Sequence, residues 1–332
     1  MKPIKLAVFS TKSYDKTSLM AAATNNISIT FFENRLTSLT AKLAAGFDAV
    51  CVFVNDELNQ DVLSELKANG VKFIVLRCAG FNNLDLEACK ALGIQCARVP
   101  AYSPEAVAEH TVALMMTLNR HIHKAFNRTK EGNFSLAGLL GFNIHGKTIG
   151  IIGTGNIGLA TTKIMKGFGA NVIAFDPVQN TSKQQDIGFT YTDLDTLLTT
   201  ADIISLHCPL NQSTHHLLND KSISSMKDGV MIINTSRGGL VDTASLIKHL
   251  KSGKIGHLAL DVYEQESELF FEDHSESIIQ DDIFQRLLTF PNVIITGHQG
   301  FFTGEALTQI AKTTITNLTL FAESKINHNE IT

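Results

Sequence analysis

Four residues suited to proton and hydride chemistry follow three short apolar runs in the second half of the chain. Arg237 follows the run at 230–234, within Thr235-Ser236-Arg237-Gly238-Gly239. Glu264 and Glu266 follow the run at 256–261, within Val262-Tyr263-Glu264-Gln265-Glu266. His298 follows the run at 292–296, within Gly297-His298-Gln299-Gly300. If these runs are parallel strands of one open sheet, ligands bind beyond their carboxyl ends. A guanidinium, a carboxylate and an imidazole then converge on one edge, a set that suits reduction of a 2-oxo acid. Arg237 can grip a carboxylate through its fork and polarise the adjacent carbonyl. His298 can donate the proton that accompanies hydride addition and take it back in reverse. A neighbouring carboxylate favours the charged imidazole and orients the ring. Glu266 suits that role, with Glu264 as the alternative. His207 also ends a run, but it precedes Cys208-Pro209 and reads as a wall of a cofactor site.

The hydride must come from a cofactor, and one stretch offers two competing signatures. Gly141-Phe-Asn-Ile-His-Gly146-Lys147-Thr148 fits the nucleoside-triphosphate loop G-x-x-x-x-G-K-[ST]. Gly153-Thr-Gly155-Asn156-Ile157-Gly158 fits the dinucleotide fingerprint G-x-G-x-x-G. A triphosphate loop must follow a strand and open a helix. The first motif instead runs into the apolar run Thr148-Ile-Gly-Ile-Ile, so Gly146-Lys147 reads as a turn feeding a strand. The second motif has that run before it and a helical pattern after it. The next apolar run, 171–175, ends in Asp176, where an acidic residue takes the adenosine ribose hydroxyls. A carboxylate there repels a 2′-phosphate, so NAD is expected in preference to NADP.

Bulk properties narrow the rest. A chain of 332 residues exceeds one ordinary core and implies two domains. A formal net charge of -4 gives no electrostatic reason to bind nucleic acid or an anionic membrane. No apolar stretch is long enough to span a bilayer. Five scattered cysteines form no C-x-x-C pair and read as reduced thiols, which with the non-signal-like N-terminus points to the cytoplasm. No metal is expected: there is no H-E-x-x-H, and His121/His123 and His215/His216 are too local to form a site and read as solvated.

These residues require an α/β scaffold. Apolar runs at 5–9, 49–54, 73–76 and 94–99 alternate with helical patterns, the clearest at 58–68. Pro100 and Pro104 bracket a break. From Glu105 to about Arg128 runs one long helical pattern, apolar on nearly every face in its first half. Strand-like runs resume at 148–153, 171–176, 202–207, 230–234, 256–261 and 292–296, and a last helix at 304–323 could return to the first domain. The acidic stretch 265–282 reads as a solvated loop.

Taken together, GTGNIG, NTSRGGLVD, LDVYEQE and the terminal GHQ match, in order and spacing, the landmarks of the D-isomer-specific 2-hydroxyacid dehydrogenases, and the chain resembles that family over nearly its whole length. The stretches RCAGFNNLD, VPAYSPEAVAEH and LFFEDHS are similar to its bacterial, D-lactate-forming branch. The resemblance implies an α/β fold with a Rossmann NAD-binding domain, residues 102–299, inserted into a flavodoxin-like catalytic domain, residues 1–101 and 300–332. Hinges near 101 and 299 would close a cleft on substrate. A dimerisation helix would lie near 104–130, within a homodimer or homotetramer.

The resemblance also implies reversible NADH-dependent reduction of pyruvate to D-lactate. Other 2-oxo acids (hydroxypyruvate, phenylpyruvate, 2-oxobutyrate, glyoxylate) and a non-catalytic NAD-sensing co-regulator are the alternatives. Tyr102 and Phe301-Phe302 suggest a snug wall near a small substrate side chain. By the same resemblance Arg237, Glu266 and His298 take the catalytic places, and Ala79, Gly80 and Tyr102 meet the substrate. Gly153, Gly155, Asn156, Ile157, Gly158, Asp176, Cys208, Pro209, Thr214, Thr235, Ser236 and Asp261 would then hold the cofactor.

Overall fold

The computed structural model describes residues 3–332. The chain divides into two compact units, one running to Ser103 and resuming over Phe302–Thr332, the other spanning Pro104–Phe301.

In the first unit, apolar runs become the strands β1 (Ile4–Val8), β3 (Ala49–Val52), β4 (Phe73–Leu76) and β5 (Gln95–Ala97). A further strand, β2 (Ile27–Phe31), has no continuous apolar run to announce it. Its sequence, ISITF, alternates burial because it pairs only with β1, at the sheet edge. All five strands are parallel in the order β2-β1-β3-β4-β5, the flavodoxin-like order. The C-terminal helix Gly304–Ala322 covers this sheet: Ala311, Ile315, Leu318 and Phe321 are buried with Leu6, Val8 and Val75.

The second unit is built on seven parallel strands: β6 (Thr148–Ile152), β7 (Asn171–Phe175), β8 (Thr190–Tyr191), β9 (Ile203–Leu206), β10 (Val230–Asn234), β11 (Ile255–Leu260) and β12 (Val293–Ile295). Their order is β8-β7-β6-β9-β10-β11-β12. The chain enters at β6, winds outward to β8, then crosses to β9 and winds the other way. This is the doubly wound Rossmann arrangement, with its switch point between β6 and β9.

The long helical pattern after Pro104 is two helices, Pro104–Asn119 and Ile122–Lys130. His121 separates them in the left-handed region, φ 49°. The Asn119 side chain donates to the Phe142 carbonyl (2.7 Å) and accepts from its amide (2.8 Å). Gly141 lies so close that a Cβ there would stand 2.3 Å from the Asn119 carbonyl oxygen. The helix is thus stopped by a side-chain lock that neither Gly nor Pro signals. Its apolarity is consumed within the unit: Val112, Leu114, Met115 and Leu118 belong to one core cluster with Ile149, Met165, Ile233 and Ala259.

The triphosphate-like motif is confirmed as a turn. Gly146 adopts φ +77°, and the chain enters β6 rather than a helix. Lys147 Nζ rests 5.6 Å above the Phe142 ring. All five cysteines are buried and free of disulfides.

Candidate active site

Gly153, at the carboxyl end of β6, turns with φ +97°, and a Cβ there would lie 2.6 Å from the His207 carbonyl carbon. A Cβ on Gly158 would lie 2.0 Å from the Gly153 carbonyl oxygen, so helix and loop touch there. Gly155 differs from both: a Cβ there would meet nothing within 4 Å. Its missing side chain leaves open space in front of the helix Asn156–Gly167, whose first amides no side chain caps. That combination fits a pyrophosphate, which needs bare amides and close backbone approach.

Asp176, at the end of β7, is tied to this loop. Its Oδ2 accepts from the Thr154 amide (2.7 Å) and hydroxyl (3.1 Å), and its Oδ1 accepts from the Val178 amide (2.8 Å). It borders a cavity of about 450 Å³ whose walls include Pro177, Val178, Leu194, Cys208, Pro209, Thr214 and Leu217. Thr214 shapes that wall by donating to the Pro209 carbonyl (2.7 Å). A mostly apolar slot with a carboxylate at its rim, at the switch point of the sheet, can hold an adenosine.

His207 lies beneath the fingerprint, its Nε2 within 2.9 Å of Ser205 Oγ. Burial pulls its pKa down to about 4. The unfolded imidazole therefore takes up a proton at higher pH than the folded one, and stability falls as pH drops from about 6.5 toward 4. Allowing for the residue's partial exposure, the loss is about 1–2 kcal/mol. Urea unfolding of the wild type and His207→Gln at pH 7 and pH 4.5 checks this: the variant should lose less stability, and equal losses refute it.

The other sequence-selected groups stand at the ends of β10, β11 and β12, three adjacent strands. Asn234, fully buried at the end of β10, clamps the turn that follows. Its Nδ2 donates to the Arg237 carbonyl (2.8 Å), and its Oδ1 accepts from the Ser236 amide (3.0 Å). Ser236 Oγ donates to the Cys208 carbonyl (2.7 Å), and the Thr235 hydroxyl lies 2.8 Å from that of Thr111. Gly238 is needed because a Cβ there would lie 2.1 Å from the Tyr263 carbonyl carbon. Arg237 is thereby held at a fixed height beside the 263–266 run, its Nη1 donating to the Ser236 carbonyl (2.6 Å).

The two glutamates are separated by geometry. Glu266 Oε1 lies 2.8 Å from His298 Nδ1, while its Oε2 accepts from the Tyr263 amide (3.0 Å). Glu264 turns away: its Oε2 accepts from the Thr243 hydroxyl (2.6 Å), and its Oε1 meets His216 Nε2 at 2.6 Å. His216 is therefore engaged rather than merely solvated as expected. With Nδ1 facing a carboxylate, His298 has Nε2 to present to a substrate.

His298 sits in the left-handed region, φ 53°, a conformation that must be enforced. Asp261 does so. Its carbonyl accepts from the His298 amide (2.8 Å), while its carboxylate accepts from the amides of Gln299 (2.9 Å) and Gly300 (2.8 Å) and from Thr296 Oγ1 (2.5 Å). His110 Nε2 approaches the same carboxylate at 3.2 Å. Burial alone would raise the Asp261 carboxyl; these partners offset it and hold it below the usual range. Asp261, expected from sequence to contact the cofactor, also braces the His298 loop.

Sequence reasoning overlooked Asn234 and His110. The available signals were a polar residue closing an apolar strand and a lone polar ring in an apolar helix half. The acidic 265–282 stretch is also more than a solvated loop. Phe270 is buried in the core, the Phe271 ring lies 5.7 Å from that of His298, and Asp281 accepts from the Tyr263 hydroxyl (2.6 Å).

Ala79, Gly80 and Tyr102 belong to the first unit. Arg98 Nη1 donates to the Ala79 carbonyl (2.7 Å), and Cys78 Sγ approaches the Gly80 carbonyl (3.2 Å), which fixes the turn after β4. Phe301 is buried, and Phe302 packs edge-on against Tyr14 at 4.7 Å. Among the described residues no helix is long and apolar enough to cross a membrane.

Residues 112–300 match the family model "D-isomer specific 2-hydroxyacid dehydrogenase, NAD binding domain". The D-lactate dehydrogenase of Escherichia coli is 54% identical over 329 residues, 99% of this chain and 100% of that protein. The structure of the pyruvate reductase of Chlamydomonas reinhardtii superposes with a TM-score of 0.93 at 44% identity, covering 98% of each chain. That of the Aquifex aeolicus D-lactate dehydrogenase, complexed with NAD and lactic acid, gives 0.88 at 34% identity, again over 98% of each.

Proposed function

Since the chain belongs to the D-isomer-specific 2-hydroxyacid dehydrogenases, enzymes that use NAD, we propose that it reduces pyruvate to D-lactate reversibly, with Arg237, Glu266 and His298 as its catalytic set. The observation that carries the reading is the His298–Glu266 pair at 2.8 Å, which joins the segments after β12 and β11, with Arg237 in the segment after the neighbouring β10.

Bound NADH supplies the hydride. Arg237 grips the substrate carboxylate and draws charge from the adjacent carbonyl. His298 donates its Nε2 proton to the carbonyl oxygen as that oxygen gains charge, and retrieves it in the oxidative direction. Glu266 keeps Nδ1 bonded, which directs Nε2 at the substrate and stabilises the imidazolium. Asp261, assigned to the cofactor site, also positions His298 through the loop it braces. In the first unit, the Ala79–Gly80 amides and Tyr102 are assigned to the substrate. The fingerprint amides from Gly155 to Gly158 take the pyrophosphate. Asp176 takes the ribose hydroxyls, and Cys208, Pro209 and Thr214 wall the adenosine, with Thr235 and Ser236 toward the nicotinamide side.

Pyruvate is favoured because the Escherichia coli relative is named for D-lactate and the Chlamydomonas reinhardtii neighbour for pyruvate reduction. Steady-state kcat/KM for pyruvate against hydroxypyruvate, 2-oxobutyrate, phenylpyruvate and glyoxylate, with the lactate enantiomer identified, tests this. Faster turnover of a bulkier acid, or formation of L-lactate, overturns it.

Asp176→Ala should weaken NADH binding, since it also unties Thr154, and shift the NADH-to-NADPH preference by about tenfold or more, 1.4 kcal/mol. An unchanged ratio of kcat/KM values would remove Asp176 from the ribose site.

The chain is further proposed to form a homodimer or homotetramer. Ile122, Phe126, Phe134, Leu136 and Leu140 are all exposed within one stretch, as on a face awaiting a second copy. Light scattering should give at least a dimer, and Phe126→Asp with Leu140→Asp should yield monomers. A monomeric wild type at micromolar concentration contradicts this.

A further inference from the structure

Outside the residues assigned to catalysis, three metal-ligating side chains converge in the second unit. His215, His216 and Glu264 place one ligand atom each within 4.8 Å of the others. They come from two separate segments, the loop after β9 and the run after β11. We propose that they form a binding site for a borderline transition-metal ion, for which Zn²⁺ is the probe.

The donor set decides the class of ion. Two imidazoles and a carboxylate suit Zn²⁺, Co²⁺, Ni²⁺ or Cu²⁺ and disfavour Mg²⁺ and Ca²⁺, which take oxygen ligands. Three protein ligands leave a fourth position for water, and the exposed His215 gives an entry path.

The ligands are held from behind as metal ligands are. Glu264 presents Oε1 because its Oε2 is fixed by the Thr243 hydroxyl (2.6 Å) and amide (3.2 Å). His216 sits at φ 50°, its amide donating to the Gly239 carbonyl (2.8 Å) and its carbonyl accepting from Asn219 Nδ2 (2.9 Å). The His215 and His216 rings stack at 3.9 Å, which sets their mutual orientation. Ligand atoms on tetrahedral zinc stand roughly 3.3 Å apart. The His216–Glu264 contact, 2.6 Å here, therefore opens by less than about 1 Å to admit the ion.

Occupancy would reach the proposed catalytic residues through the backbone. Glu264 shares its run with Glu266, and His216 is bonded to Gly239, two residues from Arg237. An ion locks these segments together and slows turnover. This consequence rests on the dehydrogenase reading; the binding itself does not.

The test is equilibrium dialysis of the metal-stripped full-length protein against ZnCl2, with MgCl2 as control. One Zn²⁺ per chain is expected, with affinity at least tenfold lower in the His215→Ala His216→Ala double variant and about tenfold lower in Thr243→Val. His215→Ala alone changes an exposed side chain and decides the matter if the double variant fails to fold. No stoichiometric zinc, or equal affinity in wild type and His215→Ala, overturns the site. Zinc should also inhibit the wild type more strongly than His215→Ala; equal inhibition overturns the link to turnover.

Discussion

His298→Ala should lower kcat for pyruvate reduction by about 10²–10⁴ and leave NADH binding nearly unchanged. The loss is large because, among the described residues, no other imidazole is poised with one nitrogen on Glu266 and the other available. Cofactor binding should survive because the fingerprint and the Asp176 cavity are built at the ends of β6, β7 and β9, whereas His298 follows β12. Glu266→Gln should cost less: an amide oxygen can still accept from the Tyr263 amide, so the run keeps its shape. Rapid-mixing kinetics for the chemical step and fluorescence titration for NADH separate the two effects. A loss of less than tenfold in kcat, or a collapse of NADH binding, contradicts the assigned role.

Much of the scaffold is legible in the sequence because parallel strands covered on both faces are written as apolar runs. β6, β7, β9 and β10 are such runs. β2 escapes because an edge strand buries alternate residues, so ISITF carries only half the signal. The end of the Pro104–Asn119 helix escapes for another reason: it is set by the lock between Asn119 and Phe142, a contact across 23 positions. Local propensity contains no record of it.

The candidate site shows the same division. Residue type and position at a strand end single out Arg237 and His298. Position alone leaves Glu264 and Glu266 open, since both follow β11, and the resemblance chooses between them. The structure distinguishes them by partner, Glu266 facing His298 and Glu264 facing His216 and Thr243. The bracing contacts of Asp261 are hydrogen bonds to residues 35 to 39 positions away, and no spacing rule predicts them. The three fingerprint glycines are recognisable as a motif, but their separate duties depend on what each missing Cβ would have met.

Arg237 carries the second large effect. Its backbone has little freedom: Asn234 bonds both its carbonyl and the preceding amide, and Gly238 is pressed against Tyr263. The loop therefore cannot shift to bring a shorter or differently shaped group to the substrate. Arg237→Lys keeps the charge but loses the planar fork. Losing one charge-assisted hydrogen bond, 1.5–3 kcal/mol, should lower kcat/KM for pyruvate by about 10- to 150-fold. Arg237→Gln also removes the charge and should cost 2–5 kcal/mol, about 30-fold to several thousand-fold. The partition between parameters tells what the guanidinium does. If it only anchors the carboxylate, KM rises and kcat holds; if it also polarises the carbonyl, kcat falls as well. A guanidinium that both grips the carboxylate and polarises the carbonyl must change both parameters. Initial rates over a full pyruvate range at saturating NADH resolve them, and an Arg237→Lys enzyme within twofold of wild type would remove Arg237 from the substrate site.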